Sequence, residues 1–117
     1  MAGRRDPGMV TAELAVAVPV VVVVLALGLS AIRLGIDEVR CVDAARLAAR
    51  ALARGDSEGS ARAMALTAGP PGASVVVASS GAEVSATVSA SRDLAGWRMV
   101  TVRGSATAAR EGAAGPP

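Results

Sequence analysis

Hydrophobic positions follow three successive patterns along the chain. From Leu14 to Ile32 the sequence LAVAVPVVVVVLALGLSAI runs nineteen residues without a charge. From Arg33 to about residue 54 apolar residues recur at intervals of three and four, interleaved with charges. After residue 73 they alternate with serine and threonine. A continuous apolar run, a helical stripe and a two-residue period call for different environments.

The first pattern has the length of a membrane span. As a helix, nineteen residues cover about 28 Å, close to the hydrocarbon thickness of a bilayer. The five valines Val20–Val24 suit a buried strand in a water-soluble protein. A lone strand cannot cross lipid, because its backbone groups stay unpaired, so the length argues for a helix over residues 14–32. Pro19 falls in its early turns, where a membrane helix tolerates it. Arg4 and Arg5 precede the run and Arg33 follows it, so the charge bias is weak. The short leading flank predicts a cytoplasmic N-terminus and a C-terminal part on the far side. An ordinary cleaved secretory signal is a competing reading, but its apolar region is shorter, about 7–15 residues. A plain single-pass anchor is another.

The second pattern predicts that the helix continues. Ile32, Ile36, Val39 and Val42 recur at helical spacing, with Leu52 extending the stripe. Asp37–Arg40 and Asp43–Arg46 are spaced for opposite-sign pairs, worth a few tenths of a kcal/mol each. Arg46, Arg50 and Arg54 crowd the last turns, where the negative helix end favours cations, and Gly55 supplies a stop. One helix over residues 9–54 is expected, with the arginine row as a solvated face. Residues 57–68 read as a short helix or loop, capped by Ser57 or Ser60, with Met64 and Leu66 among its few larger apolar side chains. Gly69-Pro70-Pro71-Gly72 is a break.

The third pattern predicts strands over residues 73–79, 82–91 and 96–108. In the second, Val84, Ala86, Val88 and Ala90 share one face while Ser85, Thr87, Ser89 and Ser91 share the other. Ser80-Gly81 reads as the tight turn before it and "SRDLAG" as the connection after it. The simplest arrangement is a three-stranded meander over residues 73–108, packed on the distal part of the long helix, with a disordered tail over residues 109–117.

Composition narrows the chemistry. Of 117 residues 52% are hydrophobic, yet Trp97 is the sole aromatic, so the core outside the apolar run must be thin. Trp97 is expected to cover one end of it; an exposed Trp97 touching a partner is the alternative. The net charge of +2 is carried by scattered arginines, and with no aromatic platform this argues against nucleic acid. Histidine is absent and Cys41 is the single cysteine, which removes histidine acid–base catalysis, Cys–His nucleophiles and the usual zinc sites. The serine rows have no base near them. No enzyme activity, cofactor or metal is expected. Cys41 either forms an intermolecular disulfide or fills the packing face as a small apolar residue.

The boundary of the apolar run carries the remaining signal. Gly8-Met9-Val10-Thr11-Ala12-Glu13 places a carboxylate just before nineteen uncharged residues. Gly8 lacks a side chain and follows Pro7, so an extended, protease-accessible stretch is expected there. Thr11-Ala12-Glu13 would open the helix, with Glu13 favoured by the positive helix end. The plain reading is that Glu13 marks the membrane–water boundary and snorkels to the headgroups.

This stretch resembles a class III prepilin signal, and "MVTAELAVAVPVVVVVLALGL" with "CVDAARLAARALARGD" is similar to the TadE-like proteins of Tad/Flp pilus systems in their actinobacterial form. The resemblance covers residues 4–56; the remainder is alike only in being short and rich in strands and small residues. It implies a pilin-like, membrane-anchored α+β fold and a leader of residues 1–8 cut by a prepilin peptidase between Gly8 and Met9. It also implies that Glu13, fifth in the mature chain, pairs with the N-terminal amine of a neighbouring subunit. The partners it implies are the membrane, the peptidase, other pilin subunits and Tad assembly proteins. An uncleaved single-pass accessory protein of a pilus or secretion platform is the alternative, and a small secreted binding protein a third.

Overall fold

The computed structural model describes residues 7–94 and 96–111. It is α+β: helices α1 (Pro7–Ala53) and α2 (Glu58–Ala68) precede strands β1 (Ser74–Ser80), β2 (Glu83–Leu94) and β3 (Arg98–Ala109). The strands form one antiparallel sheet in the order β1-β2-β3, packed on the distal half of α1. The described residues extend 94 Å along the longest axis and 24 × 17 Å across it.

Helix α1 runs 47 residues without interruption, Pro19 included. It is long and apolar enough to cross a membrane, and none of its most apolar stretch is buried within the chain. It ends on a Schellman motif. The Gly55 N–H donates to the Leu52 carbonyl at 3.0 Å and the Asp56 N–H to the Ala51 carbonyl at 3.0 Å. Gly55 takes φ +95°, which a side chain would resist. Ser57 caps α2, its hydroxyl accepting from the Ser60 N–H at 3.1 Å.

The packing face of α1 keeps Leu52 and, half-buried, Val42 of the expected stripe, but not its other members. Ile32, Ile36 and Val39 are exposed, whereas Cys41, Ala44, Ala45, Ala48, Ala49, Ala51, Leu52 and Ala53 are buried. On α2 the buried residues are Ala61 and Ala65, while Met64 and Leu66 are exposed. Small residues occupy the contact because the sheet lies so close. A Cβ added at Gly104 of β3 would sit 2.3 Å from the Val42 nitrogen and 2.5 Å from the Cys41 carbonyl carbon. A glycine inside a strand commonly marks such an approach.

The alternation in β2 translates directly into burial. Val84, Ala86 and Val88 have no exposure and Ala90 has 3%, while Ser85, Thr87 and Ser89 are half-buried on the other face. The turns differ from expectation. Ser80 pairs with Glu83, so the two-residue loop is Gly81-Ala82, with Gly81 at φ +60° where a II′ turn takes glycine. "SRDL" is not a connection: Ser91, Arg92, Asp93 and Leu94 continue β2, paired with Thr101, Val100, Met99 and Arg98 of β3. The β2–β3 turn is therefore short, closed by the Trp97 N–H donating to the Leu94 carbonyl at 3.0 Å.

Residues 109–111 are ordered rather than part of the expected tail. Ala109 ends β3, the Arg110 N–H donates to the Ala82 carbonyl at 2.7 Å, and the Glu111 N–H to the Ala53 carbonyl at 2.8 Å. These bonds tie the chain to both the sheet and the end of α1. Residues 112–117 of the expected tail and residues 1–6 of the expected leader lie outside the described residues.

Candidate functional site

Gly8, Met9 and Glu13 lie at the start of α1, where Pro7 is the first helical residue. Proline suits that position: its fixed φ is already helical and its missing N–H would have had no partner inside the helix. The extended stretch expected at Gly8 is thus replaced by helix, with Gly8 exposed. The Thr11 hydroxyl donates to the Pro7 carbonyl at 3.1 Å across this turn. The first turn contains no acidic residue, because Glu13 comes a turn later than expected. Helix-end stabilisation of Glu13, which fades beyond the first turn, is correspondingly reduced.

Met9 and Glu13 are four residues apart and share one helix face. With Ala12, Val16 and Ala17 they line a shallow, open, almost wholly apolar groove. Glu13 therefore presents a carboxylate at the border of a surface that is otherwise apolar.

Cys41 is placed where the packing alternative puts it. It has no exposure and lies beneath the close contact with Gly104. Burial pushes its thiol above the ordinary value of 9.0; the Asp37 and Glu38 carboxylates push the same way, and the Arg92 guanidinium opposes them. A buried, protonated thiol is a poor partner for disulfide exchange, which requires an accessible thiolate. Trp97 does not cover the core: it is 83% exposed in the β2–β3 turn.

Sequence spacing missed a polar cluster at the proximal end of the sheet. The Arg92 Nε donates to Asp37 Oδ2 at 2.8 Å, its Nη2 to the Pro71 carbonyl at 2.6 Å and its Nη1 to the Ser91 carbonyl at 3.1 Å. Asp37 thus pairs across the fold instead of with Arg40. One guanidinium joins α1, β2 and the loop after α2. Ser30, Arg33, Leu34, Asp37, Arg92 and Asp93 line a cavity of about 380 Å³ beside it. Arg and Asp inside "SRDLAG" were the available signal, but reading that segment as a loop gave them no fixed neighbours. Among the described residues no group of three or more His, Cys, Asp or Glu is arranged to hold a metal.

Comparison with protein-family models, curated proteins and solved structures finds no match for the chain. The functional reading rests on the residues and their arrangement.

Proposed function

We propose that the chain is a TadE-like minor pilin or pseudopilin of a Tad/Flp-type system, anchored by residues 14–32 and cut between Gly8 and Met9. The observation that carries this reading is the unbroken α1. Its apolar half continues, without a turn, into a stalk bearing a small sheet. An unbroken rod lets a packed bundle of apolar helices display its β modules at a fixed distance. In this reading the N-terminus is cytoplasmic and the sheet extracytoplasmic.

Cleavage would change the chemistry at the start of α1. Met9 would acquire a charged amine and become the first helical residue, moving Glu13 closer to the positive helix end. A carboxylate drawn into an apolar bundle is costly unless paired, so Glu13 would require the amine of a neighbouring subunit. The function is assembly: the helix stores the subunit in the bilayer and then packs against others, with Glu13 setting register.

N-terminal sequencing of the mature chain tests the cleavage. A start at Met9 supports it; an intact leader, or a cut beyond Leu29, ends it. Glu13→Ala is expected to leave cleavage intact and to reduce assembly, read as the amount of sheared filament. Normal piliation in that variant removes the pairing role.

One observation favours the alternative of an uncleaved single-pass accessory protein of a pilus or secretion platform. Gly8 lies within the helix, whereas a peptidase needs an extended backbone at the cut bond. Shearing separates the two: a minor pilin leaves the cells with filaments, and an accessory protein stays with the membrane.

A further inference from the structure

The chain has one aromatic side chain and leaves it in the open. Trp97 is 83% exposed, the highest value among the exposed large hydrophobic residues described, and Met99 nearby is 65% exposed. A core of alanine and valine had every reason to use that ring. Its position in the fold explains why it does not.

Strand β3 runs alongside α1 in the same direction, between two fixed contacts. Gly104 abuts the backbone of Cys41 and Val42, and the Glu111 N–H is bonded to the Ala53 carbonyl. The seven residues after Gly104, up to Glu111 and the last two of them beyond β3, thus keep pace with the eleven after Val42, up to Ala53 of α1. The same pace, followed back from Gly104, carries Trp97 to the level of about residue 31 of α1. A separate contact to α1, made by strand β2, gives the same height. Arg92 is bonded to Asp37, and Asp93, one residue closer to the turn, lines a cavity with Ser30 and Arg33. The β2–β3 turn therefore stands beside the place where the charge-free run of α1 ends at Ile32.

Tryptophan concentrates at that height in membrane proteins, because its ring prefers the interface and its N–H finds a polar partner there. Arginines at the same level lay their stems on apolar surface and lift their heads to the phosphates. Arg33 on α1 and the exposed Arg98 beside Trp97 are so placed.

We propose that the tip of the β2–β3 hairpin is a membrane-interface anchor. It seats Trp97 among the lipid headgroups on the side of the bilayer facing the sheet, with Arg33 and Arg98 toward lipid phosphates. The anchor holds the β module down on the bilayer and sets the depth of α1 from outside the span. It rests on α1 crossing the membrane and is independent of whether the chain is a pilin.

Trp97 is also the reporter, because the chain contains no other tryptophan and no tyrosine. The full chain is reconstituted into bilayers of phosphatidylcholine and phosphatidylglycerol, some carrying bromine near the glycerol end of the acyl chains and some near the methyl end. Trp97 emission is expected to be blue-shifted from that of free indole in water, and to be quenched more by the shallow bromines than by the deep ones. Emission at the aqueous position without bromine quenching overturns the anchor. Blue-shifted emission without bromine quenching overturns it too, and marks a protein partner on the indole. A second chain, Val23→Trp in a Trp97→Phe background, monitors the span itself. Strong deep quenching there confirms insertion, so failure at Trp97 then belongs to the anchor alone. No quenching at either position removes the membrane span as well as the anchor.

Discussion

Between Leu14 and Ile32, every valine, leucine and isoleucine of α1 is exposed; between Cys41 and Ala53 of the same helix, the buried residues are one cysteine, one leucine and six alanines. The same backbone conformation presents its apolar content in opposite ways. In most of the first region, short of Ser30, none of the described residues lies opposite, so side-chain size is free and hydropathy alone matters. A bilayer accepts valine and leucine equally. In the second region the sheet lies at the distance set by Gly104, and size matters more than hydropathy. There the chain has placed its smallest residues inward and left Ile36, Val39 and Leu47 outward. Apolar stripe and packing face are thus different things on one helix.

The contrast is broken most severely at Gly104. In Gly104→Val, the added atoms would meet backbone of α1, which cannot rotate away. The sheet must lift, at a cost of about 3 kcal/mol, the upper end for overpacking. Hydrogen exchange of β2 and β3 amides in detergent micelles should become markedly faster, while α1 amides near Val20 stay unchanged.

Ala48→Leu and Ala26→Leu pose the same question as a matched pair. The first forces a larger side chain under the sheet and should cost about 1–3 kcal/mol. The second enlarges an exposed position of the apolar run and should cost nothing measurable on the same exchange assay. Equal effects would mean that the two regions do not differ as described.

Asp37→Asn removes the charge facing Arg92 where the regions meet. The pair is 2.8 Å long, with side chains 14% and 28% exposed for Asp37 and Arg92, so the loss should be about 1.5 kcal/mol. The protection of β2 from Ser91 to Leu94 should fall first, since that segment pairs with β3 on one side only.

The smallest effect is a pH dependence at Cys41. Its folded thiol titrates above the ordinary 9.0, so the folded module binds a proton that the unfolded chain has begun to release. The stability this contributes is complete below about pH 9 and is lost as pH rises through the raised folded value. Alkaline titration of the exchange rates should show this decline, and Cys41→Ala should flatten it. Alkylation of Cys41 in the folded module should be slow at neutral pH.

Much of the fold was legible from local rules, because they act over a few residues. The nineteen uncharged residues of 14–32 dictate a helix long enough to span a membrane. Strict alternation from Val84 to Ala90 dictates which face of β2 is buried, and glycine and proline dictate where α1 and α2 end. The candidate boundary site was legible only as a spacing: Gly8 and Glu13 could be found by inspection, but the helical state of Gly8 follows from Pro7 starting α1. What the tertiary structure alone decided is how near the elements approach and which ends meet. The Asp37–Arg92 pair is one contact between α1 and the sheet, and the choice of alanines over Ile36 and Val39 as the packing face and the burial of Cys41 go with another, Gly104 against Val42. That contact joins residues 62 positions apart. No local period encodes a distance between separate elements, so the side chains that face each other across it are settled only when the sheet docks.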